Sequence, residues 1–519
     1  MSGMDGNWYI PGMQEKTEGE ERVVFSLVLL TLLALLLRLF HLGHQGFWID
    51  EMITLQQGLV PGHGLWEQFL DDYHNPLVTV VVTWLTRIGT SEALLRLPGA
   101  VLGGLSVPLV YLLGKHLAGV RVGLLAALLL AVHPFHIFHS QELRGYGWMV
   151  FFGMAAAVVA AGAKTRLSLR RAAALTLLGV ATSLSSLEGL FWMASLAGAC
   201  LVAGYVRRGE RVRWVVTFVL VVAILTPWWA GTLTTHHAER LLPGEATGEP
   251  MRGATTMSPW AIPYAAFVLS AGNTLGPTPT EIRAASEASP DGRVSIPRRH
   301  WPAVAGIAGL ALVLFTAGVV RLRRRVWVLA AWAAVPLLVA LILAARNVKP
   351  FNPRYVIAVL PAYLLILAAG LDALPRRASL FLLLAWLSFS ALGIYRYHFL
   401  PAYGREDVRG AARLIESRES PQDFILAPTI YDVFTWYYRG ADPVFPYWWS
   451  EQDRSIEAVE NRLARLEPER RYIWFVRCRP WHDDPRGWVL ASLQKNCDAR
   501  AVFELPGVTV HLFERRTPK

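Results

Sequence analysis

Two adjacent carboxylates, Asp50 and Glu51, lie in the stretch Phe47-Trp48-Ile49-Asp50-Glu51, and Asp71-Asp72-Tyr73-His74-Asn75-Pro76-Leu77 follows in the same polar segment. Such residues can take a proton from a hydroxyl or orient an acceptor. On local grounds they also read as a polar turn at a helix end. Two further constellations carry cations: Ser140-Gln141-Glu142-Leu143-Arg144-Gly145-Tyr146 and Arg346-Asn347-Val348-Lys349-Pro350-Phe351-Asn352-Pro353-Arg354-Tyr355. Arg144, Arg346, Lys349 and Arg354 suit an anion, arginine by forking onto phosphate oxygens and lysine as a compact charge. Snorkelling toward lipid headgroups is the plainer alternative for any one of them, and it is the reading for Arg38 and Arg96. His133, His136 and His139 invite a metal. Pro134 disturbs their helix, however, the i+6 step drifts around the face, and no carboxylate stands in ligand spacing with them. They read as interfacial histidines among aromatics, a divalent metal being the alternative, and no cofactor is called for. Glu188, in Ser185-Ser186-Leu187-Glu188-Gly189, either lines the same cavity or is solvated.

The elements that must position these groups are membrane helices. The chain has 519 residues, of which 54% are hydrophobic and 17% charged. Its net charge of +11 sits in short basic clusters between long apolar runs, a pattern of membrane orientation signals that argues against nucleic acid as a partner. Residues 1–22 are polar and acidic and lack the basic start of a secretory leader, so the run that follows is expected to stay as a helix. Apolar runs long enough to span occur near 23–42, 94–114, 122–138, 147–163, 171–187, 189–206, 214–230, 301–320, 326–345, 354–371 and 378–395. That makes about eleven spans, within a range of about ten to thirteen. The stretches 77–89 and 259–272 are short and read as interfacial or re-entrant helices.

Charge orients the spans. Lys115 and Arg121, Lys164 to Arg171, Arg207 to Arg213, Arg321 to Arg325, and Arg376 with Arg377 all fall on one side of an eleven-span topology, while Leu39 to Thr86 holds no Lys or Arg. The N-terminus is therefore expected in the cytoplasm of a plasma or inner membrane. The first outer loop (43–93), the long loop 231–300 and the region 396–519 are expected outside, with Arg298 and Arg299 as the awkward detail. After Tyr395 the composition becomes that of a small α/β domain. Residues 405–418 and SIEAVENRLARL read as helices, FILA and YIWFVRC as strands, and AVFELPGVTVHLFE as a hairpin around Pro506-Gly507. Cys478 and Cys497, placed outside the cytoplasm, either form a disulfide or remain as thiols.

At these motifs the sequence resembles the polytopic GT-C glycosyltransferases, in the branch of protein O-mannosyltransferases, lipid A aminoarabinose transferases and lipopolysaccharide-core transferases. The resemblance rests on the Asp-Glu pair after the first span, His74-Asn75-Pro76-Leu77, Leu94-Leu95-Arg96-Leu97-Pro98-Gly99, HPFHIFHSQELRGYG and NPRYVIAVLPAYLLILAAGL, across residues 25–395. Gly145, between Arg144 and Tyr146, departs from the bulkier residue of relatives, and Asn75-Pro76 replaces a pair of prolines in several. The resemblance implies a polyprenyl-phosphate-sugar donor, an outer-face site, inversion at the anomeric carbon, and Asp50 as catalytic carboxylate.

A lipid phosphate needs little protonation to leave, so one base and a set of cations suffice. Asp50 is then the expected base, with Glu51 beside it in the catalytic pair. Arg144, Lys349 and Arg354 are expected on the donor phosphate, and His74, Glu142, Tyr146 and Tyr355 in support, His74 positioning the acceptor or Asp50 and Glu142 orienting Arg144. The acceptor is a lipid, polysaccharide or protein hydroxyl. A transporter or flippase of lipid-linked glycans, or a non-catalytic glycolipid-binding protein, is the rival reading; a transporter would favour ionisable groups at the bilayer midplane and repeated broken helices.

Overall fold

The computed structural model describes residues 11–59, 75–163, 166–232, 261–278, 280–281, 297–345, 351–421, 423–446, 455–479, 484 and 486–516. His74, Arg346 and Lys349, with the acidic pair Asp71-Asp72, lie outside the described residues. In chain order the first part is α1 (Pro11–Leu39), α2 (Ile49–Gly58), α3 (Pro76–Leu85), α4 (Glu92–Ala118), α5 (Val120–Ala131), α6 (Pro134–Ser140), α7 (Tyr146–Gly162), α8 (Leu169–Ser185), α9 (Glu188–Val202), α10 (Arg211–Thr232), α11 (Ala261–Ala271), α12 (Trp301–Leu322), α13 (Val326–Ala345), α14 (Leu360–Ala373) and α15 (Arg376–Phe399). Every apolar run singled out in the sequence carries helix, and the two short stretches are the ten- and eleven-residue helices α3 and α11.

Six helical stretches are long and apolar enough to cross a membrane, or seven with the bent α5–α6 pair, so the chain is an integral membrane protein. The difference from about eleven has three causes. Helices α7, α8 and α9 have 17, 17 and 15 residues, which at a rise of about 1.5 Å fall short of a hydrocarbon core about 30 Å thick. The runs of α12 and α13 form one continuous helical stretch, broken only by a turn at Arg323, whose φ is 52°. The run at 122–138 bends by 60° between α5 and α6, where Pro134 cannot continue the hydrogen-bond ladder.

That bend is secured by a residue expected to snorkel. Arg38 is fully buried and donates to the Leu130 and Ala131 carbonyls at 3.0 and 2.9 Å, with its Nη2 2.8 Å from His136 Nδ1. The guanidinium thus satisfies carbonyls that the break strands in the bundle. Helices α12 and α14 pack at backbone contact: a Cβ on Gly318 would meet the Ile366 carbonyl oxygen at 1.9 Å, and one on Gly370 that of Leu314 at 2.0 Å. Small residues give membrane helices this close approach, where apolar burial from water supplies no drive.

The C-terminal part adds α16 (Val408–Glu416), β1 (Asp423–Leu426), α17 (Tyr431–Tyr437), β2 (Val444–Phe445), α18 (Ile456–Arg465), β3 (Tyr472–Arg477), α19 (Trp488–Asn496), β4 (Cys497–Leu505) and β5 (Val508–Arg515). The sheet order is β2-β1-β3-β5-β4. The β1 pairs are parallel, and β3–β5 and β5–β4 antiparallel, the latter forming the expected hairpin. Along β3, Ile473 and Phe475 pack with α18 and α19, whereas Trp474, Val476 and Cys478 pack on the other face. This period-two alternation settles the cysteines: Cys497 belongs to the first face, Cys478 to the second, and both are buried free thiols.

The second face shares one core with Phe47, Met52 and Leu55 of the α2 region, Val78 and Val82 of α3, and Leu143 and Trp148. The C-terminal module is therefore fused to the first loop. Tyr437 accepts from Phe47 N at 2.7 Å and donates to Glu92 at 2.8 Å, and Arg409 reaches the same Glu92 oxygen at 3.0 Å.

Candidate active site

Asp50 and Glu51 open α2, where the first-turn backbone N–H groups favour negative charge. A helix turns about 100° per residue, so neighbours in sequence face different surroundings. Here the two differ completely.

Glu51 points inward and its side chain has no exposure. Arg96 clamps it with Nε to Oε1 at 2.8 Å and Nη2 to Oε2 at 2.7 Å, Arg405 Nη1 lies 3.1 Å from Oε2, and Leu143 N donates to Oε1 at 2.7 Å. Trp48 N adds a longer bond of 3.4 Å. Burial alone raises the carboxyl, but Arg96 and Arg405 outweigh it and hold Glu51 below its ordinary value. Arg96, expected to snorkel, is instead buried and also donates to the carbonyls of Leu42, Gln45 and Gly46. The network continues: Arg405 Nη2 lies 3.7 Å from Glu142 Oε1, and Glu142 Oε2 is 2.7 Å from His139 Nδ1. Glu142 thus partners His139 and Arg405, not Arg144 as the sequence suggested. Its chain His139–Glu142–Arg405–Glu51–Arg96 leaves Glu51 no open face for a substrate.

Asp50 points the other way, and its side chain keeps 18% exposure. Arg354 Nη1 donates to Oδ2 at 2.6 Å. Arg354 comes from the 3-10 turn Pro353–Val359 that leads into α14, started by Asn352, whose side chain accepts from Arg354 N at 3.1 Å. Its guanidinium lies 5.8 Å from the Trp48 ring centre and 5.2 Å from that of Tyr355, and Nη2 reaches the Tyr355 hydroxyl at 3.3 Å. Arg144 donates to the Asp50 carbonyl at 3.2 Å and to Thr54 Oγ1 at 2.9 Å. Arg479, from the C-terminal module, lies 5.5 Å from the Trp48 ring centre. Burial alone raises Asp50; the charges of Arg354, Arg144 and Arg479 reverse that and hold its carboxyl at about 2.

Tyr146 begins α7, buried within electrostatic reach of Arg354, Arg144, Glu188 and Tyr355, so these motifs meet in one place. Gly145 makes the meeting possible, since a Cβ there would stand 1.5 Å from the Ser185 carbonyl oxygen at the end of α8. Glu188, at the start of α9, is hydrogen-bonded by the Ser186 hydroxyl. The three histidines disperse: His133 Nε2 meets the Leu269 carbonyl at 2.9 Å, His136 meets Arg38, and His139 meets Glu142. Among the described residues no cluster of three or more His, Cys, Asp or Glu has the geometry to hold a metal.

Among the described residues the structure therefore brings together Asp50, Arg144, Tyr146, Arg354 and Tyr355, and routes Glu51 and Glu142 into a sealed lattice. Two buried donors beside Asp50, Arg354 Nε and Trp48 Nε1, have no hydrogen-bond partner among the described residues. A buried unmet donor costs about 1–3 kcal/mol, which acceptor oxygens of an anion relieve. The sequence reading missed Arg405 and Arg479. They lie in a region read as a separate domain, where the sequence tied no arginine to the membrane helices.

No family model matches the chain, and no curated protein matches it at a significant level. Among solved structures it is similar to ArnT from Cupriavidus metallidurans in the apo state, with a TM-score of 0.54 and 14% identity over 93% of this chain and 97% of that one. The same enzyme bound to undecaprenyl phosphate gives 0.55 at 14% identity over the same shares. The archaeal oligosaccharyltransferase AglB from Archaeoglobus fulgidus, in complex with an inhibitory peptide and a dolichol-phosphate, gives 0.48 at 12% identity, covering 95% of this chain and 74% of that one.

Proposed function

We propose, from the GT-C fold that this chain shares with ArnT, that it is a membrane glycosyltransferase moving a sugar from a polyprenyl-phosphate carrier to an acceptor hydroxyl, with inversion. The observation that carries the proposal is the accessible Asp50 carboxylate set among Arg354, Arg144 and Arg479, with unmet donors beside it. One carboxylate in a field of cations suits a base working against a phosphate leaving group. ArnT, in one of its structures, holds undecaprenyl phosphate.

In the proposed reaction the acceptor oxygen attacks the anomeric carbon, its proton passes to Asp50, and the sugar–oxygen bond breaks with its electrons going to the phosphate. A base held at about 2 is weak at neutral pH. Arg354 resolves this: its guanidinium is shared between Asp50 and the incoming phosphate, and each hydrogen bond drawn toward the phosphate strengthens Asp50 as a base. Arg144 fixes the start of α2 through the Asp50 carbonyl and Thr54, Tyr146 and Tyr355 bound the phosphate side, and Lys349 and His74 are assigned to phosphate and acceptor. Glu51, Arg96, Arg405 and Glu142 are positioning residues that hold α2 in register with the C-terminal module.

The proposed topology keeps eleven spans, counting the short α7, α8 and α9, with residues 1–22 cytoplasmic, 23–395 catalytic and 396–519 extracytoplasmic. Arg121 and Arg321, from two loops assigned to the cytoplasm, both pair with Asp372, at 3.5 and 3.1 Å, which supports their lying on one side. Arg299, awkward on the outer side, is neutralised by Glu281. The test is reconstitution in proteoliposomes with a polyprenyl-phosphate hexose or pentose, following release of polyprenyl phosphate and the anomeric configuration of the product. Release with inversion is expected. Donor left intact across hexose and pentose carriers, with acceptor extract supplied, contradicts the proposal.

A further inference from the structure

Arg479 has no role in the sequence reading, yet it occupies the same accessible layer as the reacting groups. Its side chain is 19% exposed, matching Arg354 at 19% and Asp50 at 18%, whereas Glu51, Arg96, Arg405 and Glu142 are all sealed. It approaches the Trp48 indole at 5.5 Å while Arg354 approaches the same ring at 5.8 Å, so one aromatic side chain, two residues before Asp50, receives two guanidiniums. The buried Nε1–H of that indole has no partner among the described residues. Arg479 is steadied by Glu406, whose Oε1 accepts from Nη2 at 3.0 Å and from Nε at 3.2 Å. Among the described residues the carboxylates acting on Arg479 are Glu406, which pairs with it, and Asp50, and a further anion beside the two guanidiniums would ease their repulsion.

A sugar–phosphate–polyprenyl donor carries one negative charge on its phosphate. When the sugar–oxygen bond breaks, the electron pair stays on that oxygen and the departing polyprenyl phosphate becomes a dianion, while the acceptor proton goes to Asp50. Charge on the phosphate side rises by one during the step. A site serving this reaction needs a cation for the charge already present and another for the charge that appears.

Resting on the glycosyltransferase reading above, we propose that Arg479, supplied by the C-terminal module, is the second donor-phosphate cation, matched to the negative charge that develops on the leaving phosphate. Arg354 then serves chiefly donor binding and Arg479 the bond-breaking step and the dianionic product. The C-terminal module becomes part of the catalytic unit: it closes the site with a residue the membrane helices do not provide.

The experiment measures binding of polyprenyl phosphate, and turnover of the matching donor, by the full chain in nanodiscs. Arg479→Ala is expected to weaken polyprenyl phosphate binding about tenfold and to lower kcat by more than it raises donor KM, with the melting temperature kept. Arg479→Lys restores part of both. Glu406→Gln, which frees Arg479 from its counter-charge, is expected to tighten polyprenyl phosphate binding several-fold. A folding defect does not produce a gain, so this variant decides the matter if Arg479→Ala is unstable. Wild-type binding that is unchanged in both Arg479→Ala and Glu406→Gln overturns the assignment of Arg479 and leaves the proposed function standing. A wild-type protein that does not bind polyprenyl phosphate overturns both.

Discussion

Two groups of acidic and basic side chains, built from neighbouring residues of one helix, meet opposite fates. Around Glu51 the cations Arg96 and Arg405 and the partner pair Glu142–His139 are packed without exposure, and hydrogen bonds fill both of its carboxylate oxygens. Around Asp50 the cations number three, Arg354, Arg144 and Arg479, and the layer stays open. The residue types are the same. Exposure separates a structural lattice from a reactive one: among the described residues unmet nitrogens occur in both, Arg405 Nε and His139 Nε2 in the first, but a sealed ion pair has no open face to offer a substrate. A third group sharpens the contrast. Asp442 in the C-terminal module is buried near Asp423 and Glu419 with Arg470 at 3.0 Å, so burial first and those carboxylates second push its carboxyl up to about 6.

The largest effect expected is at Asp50. Asp50→Asn keeps the side-chain shape and removes the base, and should lower kcat by about 10²–10⁴-fold, read as polyprenyl phosphate release in proteoliposomes. Glu51→Gln should act on stability instead. Breaking one side of a buried ion pair costs about 3–5 kcal/mol, so thermal unfolding should shift down strongly. Arg405→Met should reproduce part of that loss from the other end, and an Arg405→Met protein with native melting would show that the C-terminal module is not braced through this lattice. Arg354→Gln should weaken donor binding about tenfold or more, since a charge-assisted contact is lost, and unchanged donor affinity would remove Arg354 from the phosphate site.

Dependence on pH separates the groups further. Asp50 is ionised in the free protein at any pH above about 2, so kcat/KM should show no acid limb from it between about pH 4 and 8. In Arg354→Gln the limb should move up into the ordinary carboxylate range. The smallest effect is at Asp442. Its folded value of about 6 lies above the unfolded value of about 3.9, so its contribution to stability is fully present below the unfolded value and is lost as pH rises through about 6. Melting should drop by a few degrees across that window, and Asp442→Asn should flatten the change.

Much of this was legible in the sequence. The helices of the membrane part were, because long apolar runs have few alternatives, though six or seven of the expected eleven stretches are long and apolar enough to cross; so were the strands and hairpin of the C-terminal module, because period-two patterning and Pro506-Gly507 mark them. The sequence singled out Asp50, Arg144 and Arg354, which the structure brings together, the two arginines because basic residues in loops expected on the outer side break a depletion rule. Glu51 was misplaced, since adjacency in sequence says nothing of which side of α2 is sealed. Arg96 and Arg38 looked like surface anchors because their partners lie on other elements, Glu51 on α2 for one and the carbonyls of a helix break for the other. Gly145 was noted as a departure, and its reason, the Ser185 carbonyl, lies forty residues on in the chain. Arg405 and Arg479 were missed because the C-terminal module was read as separate when its sheet face and α2 share one core.

The central claim is that Asp50 carries the chemistry and Glu51 the architecture. The direct test is the transfer rate per folded molecule for Asp50→Asn and Glu51→Gln, measured side by side in the same proteoliposomes with the folded fraction of each determined by melting. The account predicts a folded, inactive Asp50→Asn and a less stable Glu51→Gln whose surviving folded fraction turns over near the wild-type rate. An active Asp50→Asn, or a stable Glu51→Gln that has lost turnover, would contradict it.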